Sequence, residues 1–291
     1  MNTRLLIIHA LSPVHCGTGQ AVGGIDLPIA REKPTGIPLI PGSSIKGVLR
    51  AMGKTEDPLH RVAFGPPTEQ ASEHAGSLQF SDANLVFLPT RSVRGTFAWT
   101  TSPYILRRLA RDAREAGLDA KVPTVEPDVQ TAIIAGTTLQ AGTKVVFEDI
   151  DLTAKVDAAL LTFTEHFAKW LFGAEEKTAL ERAHFAARVC VVHDDVMSLL
   201  LQTNMEITAR IRLDADTKTV MTGALWTEEA LPIESVLAGL AVATPIKQKG
   251  KEASDPATLL AYVQGLATGS ALQLGGKASV GRGVCRIRME G

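Results

Sequence analysis

Met205-Glu206-Ile207-Thr208-Ala209-Arg210-Ile211-Arg212-Leu213 alternates apolar and polar side chains without a break. Successive side chains of an extended strand point to opposite faces, so this pattern collects every apolar group on one side. A helix would need its apolar residues three and four apart. The stretch therefore predicts a half-buried strand with its apolar face toward a core. Asp214-Ala215-Asp216-Thr217-Lys218 supplies turn residues and Thr219 to Trp226 a return strand, so residues 205–226 read as a β-hairpin.

Outward from this hairpin, apolar runs bounded by turn residues predict more strands. They are Arg4 to Leu11, one or two pieces between Gly76 and Pro89, Phe97 to Trp99, Lys144 to Phe147, Val189 to Val192, Leu272 to Leu274 and Val284 to Met289. Ala238 to Thr244 is another apolar run. Helices are expected where a cap precedes a 3.6-residue apolar stripe and glycine follows it. Ser102-Pro103 opens one that stops at Gly117, and Val156 to Phe172 forms another stopped by Gly173. Asp194 or Asp195 caps a short helix through Leu201, Asp255-Pro256 opens a last one through Leu266, and Ser44 to Met52 forms a short one. Residues 53–76 read as irregular and 118–155 as a loop or insertion. Strands and helices interleave without a regular βαβα order, and no internal repeat stands out. The expected fold is α+β, helices packed on a largely antiparallel sheet, in one core domain spanning residues 1–291.

The 291 residues are 45% hydrophobic and 21% charged, enough apolar material for a real core. No apolar run reaches the roughly 18 residues of a membrane span, and Pro13 interrupts the N-terminal run too early for a signal peptide. Cys16, Cys190 and Cys285 are odd in number and far apart, which argues against a disulfide framework or a zinc module and for a reducing cytoplasm. The net charge of −1 gives no sign of a polyanionic partner, but its distribution is uneven. Arg31, Lys33, Lys46, Arg50 and Lys54 cluster near one end, and Lys277, Arg282, Arg286 and Arg288 near the other. Arg107, Arg111 and Arg114 share a helix face, which fits a solvated surface or a phosphate rail. Lys247, Lys249 and Lys251 form a further basic run.

The least ordinary segment is 12–50, where glycine and proline are too dense for a long helix or an uninterrupted strand. Gly17-x-Gly19-x-x-x-Gly23 misses the dinucleotide fingerprint, since Ile25-Asp26-Leu27-Pro28 stands where its helix should begin. Gly36 to Gly42 lacks the Gly-Lys-Ser/Thr end of a P-loop. The seven histidines show no metal-ligand spacing, and His193-Asp194-Asp195 fits a strand end and helix cap. No Gly-x-Ser-x-Gly elbow is present. What remains is an anion cradle in which loop amides, the Ser43 or Ser44 hydroxyl at a helix start, Lys46 and Arg50 grip phosphates. A tight structural turn accounts for the same glycines. Asp26 fits either an Asx-turn or a carboxylate that holds a metal or positions a reactive hydroxyl. Gly275 to Gly283 is a second glycine-rich, basic loop.

Several segments together carry a resemblance. They are Leu11 to Gly19, Ile25 to Glu32, Ile40-Pro-Gly-Ser-Ser-Ile-Lys-Gly-Val-Leu-Arg50, Gly76 to Ala83, Arg91-Ser-Val-Arg-Gly-Thr-Phe-Ala-Trp99 and Leu274-Gly-Gly-Lys-Ala-Ser-Val-Gly-Arg-Gly283. Spread in order along nearly the whole chain, they resemble the RAMP superfamily, and within it the backbone subunit (subunit four) of the type III-B CRISPR effector, the Cmr complex. The type III-A Csm backbone subunit is the nearest alternative; Arg91 to Trp99 and Gly223 to Pro232 favour Cmr. The resemblance implies a modified RRM-like, ferredoxin-like palm with a thumb hairpin near 205–226. It implies filament stacking of further copies along a guide RNA, with other Cmr subunits, and metal-dependent cleavage of complementary target RNA, with Asp26 the expected ligand of a divalent ion such as Mg²⁺. Asp26 occupies the position of the family's cleaving aspartate, and His15 with Glu228 or Glu229 matches residues associated with that site. Ala230 stands where the family often has tyrosine. Ser43, Ser44, Lys46, Arg50, Lys277, Gly281 and Arg282 are the expected RNA-binding residues. A purely structural guide-binding role is the alternative to cleavage.

Overall fold

A computed structural model describes residues 2–19, 25–67, 75–246 and 254–291. The basic run at Lys247, Lys249 and Lys251 and the glycine at 23 lie outside these. The first half contains strands β1 (Asn2–Ala10) and β2 (Leu39–Ile40), helices α1 (Gly42–Met52) and α2 (Pro58–Phe64), and strands β3 (Leu78–Phe80), β4 (Ala83–Arg91) and β5 (Phe97–Thr101). Helix α3 (Pro103–Glu115), strands β6 (Thr131–Ile134), β7 (Lys144–Phe147) and β8 (Ile150–Val156), and helices α4 (Ala158–Phe172) and α5 (Ala179–Ala186) follow. The second half has β9 (Val189–Val192), α6 (Asp194–Thr203), β10 (Glu206–Leu213), β11 (Val220–Ala230), β12 (Val236–Ala243), α7 (Pro256–Ala267), β13 (Ala271–Gln273) and β14 (Val284–Glu290).

The expected α+β class is what the chain adopts. A 12-stranded sheet runs β13-β14-β1-β12-β4-β5-β9-β6-β8-β7, with β2 on β4 and β3 on β12. Its pairings are antiparallel except β5 with β9 and β6 with β8. Strand β1 lies between β12 and β14, and Leu5, Leu6, Ile7 and Ile8 are all buried. A strand covered on both faces carries a continuous apolar run rather than an alternating one, which explains its sequence. Helices α3, α4 and α7 supply the cover. On α4, Phe167 meets Phe87 of β4 edge-on at 5.3 Å, and Phe185 of α5 meets the same ring at 5.2 Å.

Local signals placed several helix ends. Asp157 Oδ1 accepts from Leu160 N at 2.7 Å to start α4, and Gly173 ends it at φ 92°. Asp255 caps α7 through Ala257 N and Thr258 N. Helix α6 is capped one residue earlier than expected, by His193 Nδ1 accepting from Asp195 N. Residues 53–76, read as irregular, contain α2, which Asp57 caps ahead of Pro58. Neither Ser43 nor Ser44 caps α1. The helix begins at Gly42, and its first amide donates to Asp82 Oδ1 at 2.9 Å from across the fold. Gly42 is required there, because a Cβ would sit 2.2 Å from the Phe80 carbonyl oxygen.

The hairpin forms as expected, as a separate two-stranded sheet of β10 and β11. Its orientation is the reverse of the expected one. Ile207, Ile211 and Leu213 are exposed, as are Val220 and Leu225 of the return strand, whereas Glu206, Thr208 and Arg210 are half-buried. The return strand also runs past Trp226 to Ala230.

Removal of the remote cap by Asp82→Ala is expected to lower stability by about 1 kcal/mol. Ser43→Ala and Ser44→Ala are expected to stay within about 0.5 kcal/mol of the parent. Urea unfolding of the three variants checks both expectations.

Candidate functional site

The extra length of β11 builds the site. Beyond Trp226 the strand gains a second neighbour, the segment around Leu27, which forms a parallel bridge to Glu228. Leu27 N donates to Thr227 O at 3.0 Å, and Glu229 N donates to Leu27 O at 3.0 Å. Side chains alternate along the strand, so Thr227 and Glu229 turn to one face and Glu228 to the other.

Glu229 is 4% exposed, and both its oxygens are engaged. Oε2 accepts from Ile29 N at 3.0 Å, and Oε1 meets Arg31 Nη2 at 2.5 Å. Arg31 in turn donates to the carbonyls of Gly36 and Leu201. The backbone oxygen of Glu229 takes His15 Nδ1 at 2.6 Å. A carbonyl only accepts, so Nδ1 carries a proton. A Cβ on Gly17 would lie 2.8 Å from Nε2 of the same ring. His15 O accepts from Gly276 N at 2.8 Å, and Gly275, at φ +79°, passes so close that a Cβ would come within 2.4 Å of the same oxygen. The two glycine-rich loops recognised in the sequence thus meet at His15.

On the other face, Glu228 is 2% exposed. Its Oε1 accepts from Trp226 Nε1 and Lys277 Nζ, each at 2.8 Å, and Arg210 Nε lies 3.4 Å from Oε2. Burial pushes its pKa up, but Lys277, the Trp226 bond and Arg210 outweigh burial and hold it at about 2. Lys277 reaches it from a left-handed backbone conformation, φ 67°. Arg282 is also buried, with Nη2 on Thr208 Oγ1 at 3.0 Å and Nη1 3.5 Å from Glu206. The polar face of the hairpin therefore packs on the second glycine loop through ion pairs and hydrogen bonds.

Asp26 stands apart from these networks and is exposed. Its Oδ2 accepts from Thr227 N at 2.8 Å and Thr227 Oγ1 at 2.9 Å. The Thr227 amide first, then its hydroxyl, hold the carboxyl below its usual range. Among the described residues nothing donates to Oδ1. That oxygen is a hard donor able to take a proton or share a cation, whereas Glu228 and Glu229 are already neutralised by lysine and arginine partners.

The α1 residues lie in another neighbourhood. Lys46 Nζ donates to Leu78 O at 2.8 Å, with its pKa lowered by burial and then by the Arg50 charge. Arg50 Nη2 donates to Pro66 O at 2.9 Å. Ser43 is exposed and Ser44 half-buried on the first turn, and Gly281 is exposed at φ 80° after the short 278–280 turn. Of the basic helix face, Arg107 pairs with Glu126 and Arg111 with Asp112. The sequence pattern does not single out Thr227 or Arg210 as site residues. Their available signal was the order Thr-Glu-Glu at the end of an alternating strand, which assigns successive side chains to opposite faces.

The sequence pattern of the RAMP superfamily matches residues 7–286. The chain is 35% identical over 296 residues to the CRISPR system Cmr endoribonuclease Cmr4 of Pyrococcus furiosus, covering 100% of this chain and 96% of that one. Among solved structures, oligomeric Cmr4 from Pyrococcus furiosus superposes with a TM-score of 0.76 at 27% identity, covering 100% of this chain and 98% of that one. A chain of the type III-B Cmr-beta complex bound to cognate target RNA gives a TM-score of 0.74 at 20% identity, over 99% and 97%. At that identity the likeness is one of fold.

Lys277→Met removes the closest cation from buried Glu228 and is expected to cost about 2 kcal/mol in urea unfolding. This is less than the roughly 3–5 kcal/mol of a fully buried pair, because Arg210 and Trp226 remain. The pH dependence has a definite sign. The folded pKa of Glu228 lies below its ordinary 4.5, so its stabilisation is complete above that value and drains as pH falls toward about 2. The melting temperature of the parent is expected to fall more steeply than that of Glu228→Gln over that interval.

Proposed function

The chain belongs to the RAMP superfamily, and from that membership we propose that it is the guide-RNA-binding backbone subunit of a type III-B CRISPR effector and cuts complementary target RNA. The observation that carries cleavage is Asp26, with one carboxylate oxygen held by Thr227 and the other without a donor among the described residues, at the foot of a hairpin separate from the main sheet. The Pyrococcus furiosus relative is named an endoribonuclease, which supports the same assignment.

RNA carries its own nucleophile, the 2′-hydroxyl, so the protein mainly has to hold the strand for in-line attack on the adjacent phosphate. The 2′-oxygen bonds to phosphorus, the 5′-oxygen leaves and takes a proton from water, and the products are a 2′,3′-cyclic phosphate and a 5′-hydroxyl. Asp26 Oδ1 would accept the hydroxyl proton or would hold a divalent ion. Mg²⁺ commonly takes one or two carboxylates with substrate phosphates completing its shell, so a single open oxygen fits an ion shared with RNA. Such an ion would offset the charge that develops on the phosphate. His15 ties the two glycine loops together under the site. Glu228 and Glu229 act by holding Lys277, Arg31 and the Ile29 amide in place.

The β10–β11 hairpin serves as the thumb, and register places Ile207, Ala209, Ile211 and Leu225 on the same face as Thr227 and therefore Asp26. A nucleotide displaced against that apolar face lies next to the open carboxylate. Ser43, Ser44, Lys46 and Arg50 on α1, with Lys277 and Gly281, line the guide backbone, and base pairing supplies specificity. Arg282, tied to Glu206 and Thr208, steadies the thumb. Further copies and other Cmr subunits complete the filament in the cytoplasm. Among the described residues no helix is long and apolar enough to cross a membrane.

The decisive experiment mixes complex assembled on guide RNA with labelled complementary RNA, with and without EDTA. Asp26→Asn is expected to slow cleavage by about 10²–10⁴-fold while guide binding and assembly are unchanged. EDTA is expected to stop the parent, and the cut product to carry a cyclic phosphate. Full-rate cleavage by Asp26→Asn would leave a purely structural guide-binding subunit.

A further inference from the structure

Every polar atom of Thr227 is spent on the Asp26 segment. Its amide donates to Asp26 Oδ2 at 2.8 Å and its hydroxyl donates to the same oxygen at 2.9 Å. The hydroxyl also accepts from the Asp26 amide at 3.1 Å, and the Thr227 carbonyl accepts from Leu27 N at 3.0 Å. A hydroxyl is the smallest group that donates and accepts at once, and here both capacities go to one residue. The terminal torsion of an aspartate is broad, so a carboxylate on an exposed loop would ordinarily present either oxygen in many directions. Two donors converging on Oδ2 remove that freedom and leave Oδ1 as the oxygen presented. They do so without a charge, so the carboxylate keeps its own for a proton or cation.

The charged groups on the surrounding elements do not share this task. Glu228 is held by Lys277 and Arg210, Glu229 by Arg31, and His15 by the Glu229 carbonyl. Thr227 sits opposite Ala209 within the hairpin, next to the pair Arg210–Trp226. The strand that carries the apolar face against which RNA would rest thus also aims the carboxylate.

We propose that Thr227 is the positioning residue of the cleavage site, its hydroxyl fixing which oxygen of Asp26 faces the target RNA. This rests on the assignment of Asp26 as the reacting carboxylate. The side chain itself touches no RNA, so its loss is expected in the rate of the chemical step and not in binding.

The test compares Thr227→Val, Thr227→Ser and Asp26→Asn in complex assembled on guide RNA, using single-turnover cleavage of labelled target together with KM and target affinity. Valine keeps the β-branched shape and the backbone bonds but removes both hydroxyl bonds; serine restores them. Thr227→Val is expected to slow cleavage about 10- to 100-fold, the scale of a small misplacement at a reacting centre. KM, target affinity and assembly are expected to stay within about twofold, and Thr227→Ser within about threefold of the parent rate. Three outcomes would overturn the proposal while leaving Asp26 in its role: an unchanged rate in Thr227→Val beside an inactive Asp26→Asn, equal losses in the valine and serine variants, or a loss confined to KM or assembly. Full-rate cleavage by Asp26→Asn would instead remove the premise itself.

Discussion

A buried carboxylate cannot remain charged without partners, and Glu229 finds its partners at the other end of the chain. Ile29, 200 residues earlier, supplies an amide, and Arg31 a guanidinium. An unpaired ionised carboxylate at that depth would cost several kcal/mol, far more than the loop's own propensities contribute. The pairing therefore sets where residues 25–31 run. Once they lie along β11, Asp26 falls opposite Thr227, and His15 falls under the Glu229 carbonyl. The site has no element of its own: it is the seam between the first glycine-rich segment and the last third of a hairpin strand.

The hairpin itself follows from the same demand. Its polar residues face inward because Arg282 and Glu228, both buried, require the Thr208 hydroxyl, Glu206 and Arg210. Its apolar residues are left facing outward. Isoleucines and leucines gathered on one exposed strip are uncommon on a chain that works alone and mark a surface that something else covers.

Much of the fold could be read locally. A continuous apolar run foretold the doubly covered β1, and the Asp255 and Gly173 signals marked helix ends, because a cap depends on bonds within one turn. Where the bonding partner was distant, local reading failed. Ser43 and Ser44 have the chemistry of a cap, yet Asp82 performs it, since tertiary packing brings that carboxylate to the Gly42 amide. Helix α2 went unread because it is only two turns long and set among glycines and prolines. The alternation from Glu206 to Leu213 declared a strand but not which face would be buried, for the period is the same either way.

The candidate site divides along that line. Asp26, His15, Glu228, Glu229 and Lys277 were all nameable from sequence, through motifs strung along the chain. That Oδ1 of Asp26 has no donor among the described residues, that Lys277 and Arg31 pair with the two glutamates, and that the Thr227 amide and hydroxyl both meet Oδ2 were decided only by the fold. By itself the sequence determined strand periodicity, helix caps, glycine stops and family membership, all of which depend on neighbours in the chain or on pattern. The tertiary structure decided which polar groups are satisfied and which are left free. That depends on partners about two hundred residues away, and on the cost of burying any charge without one.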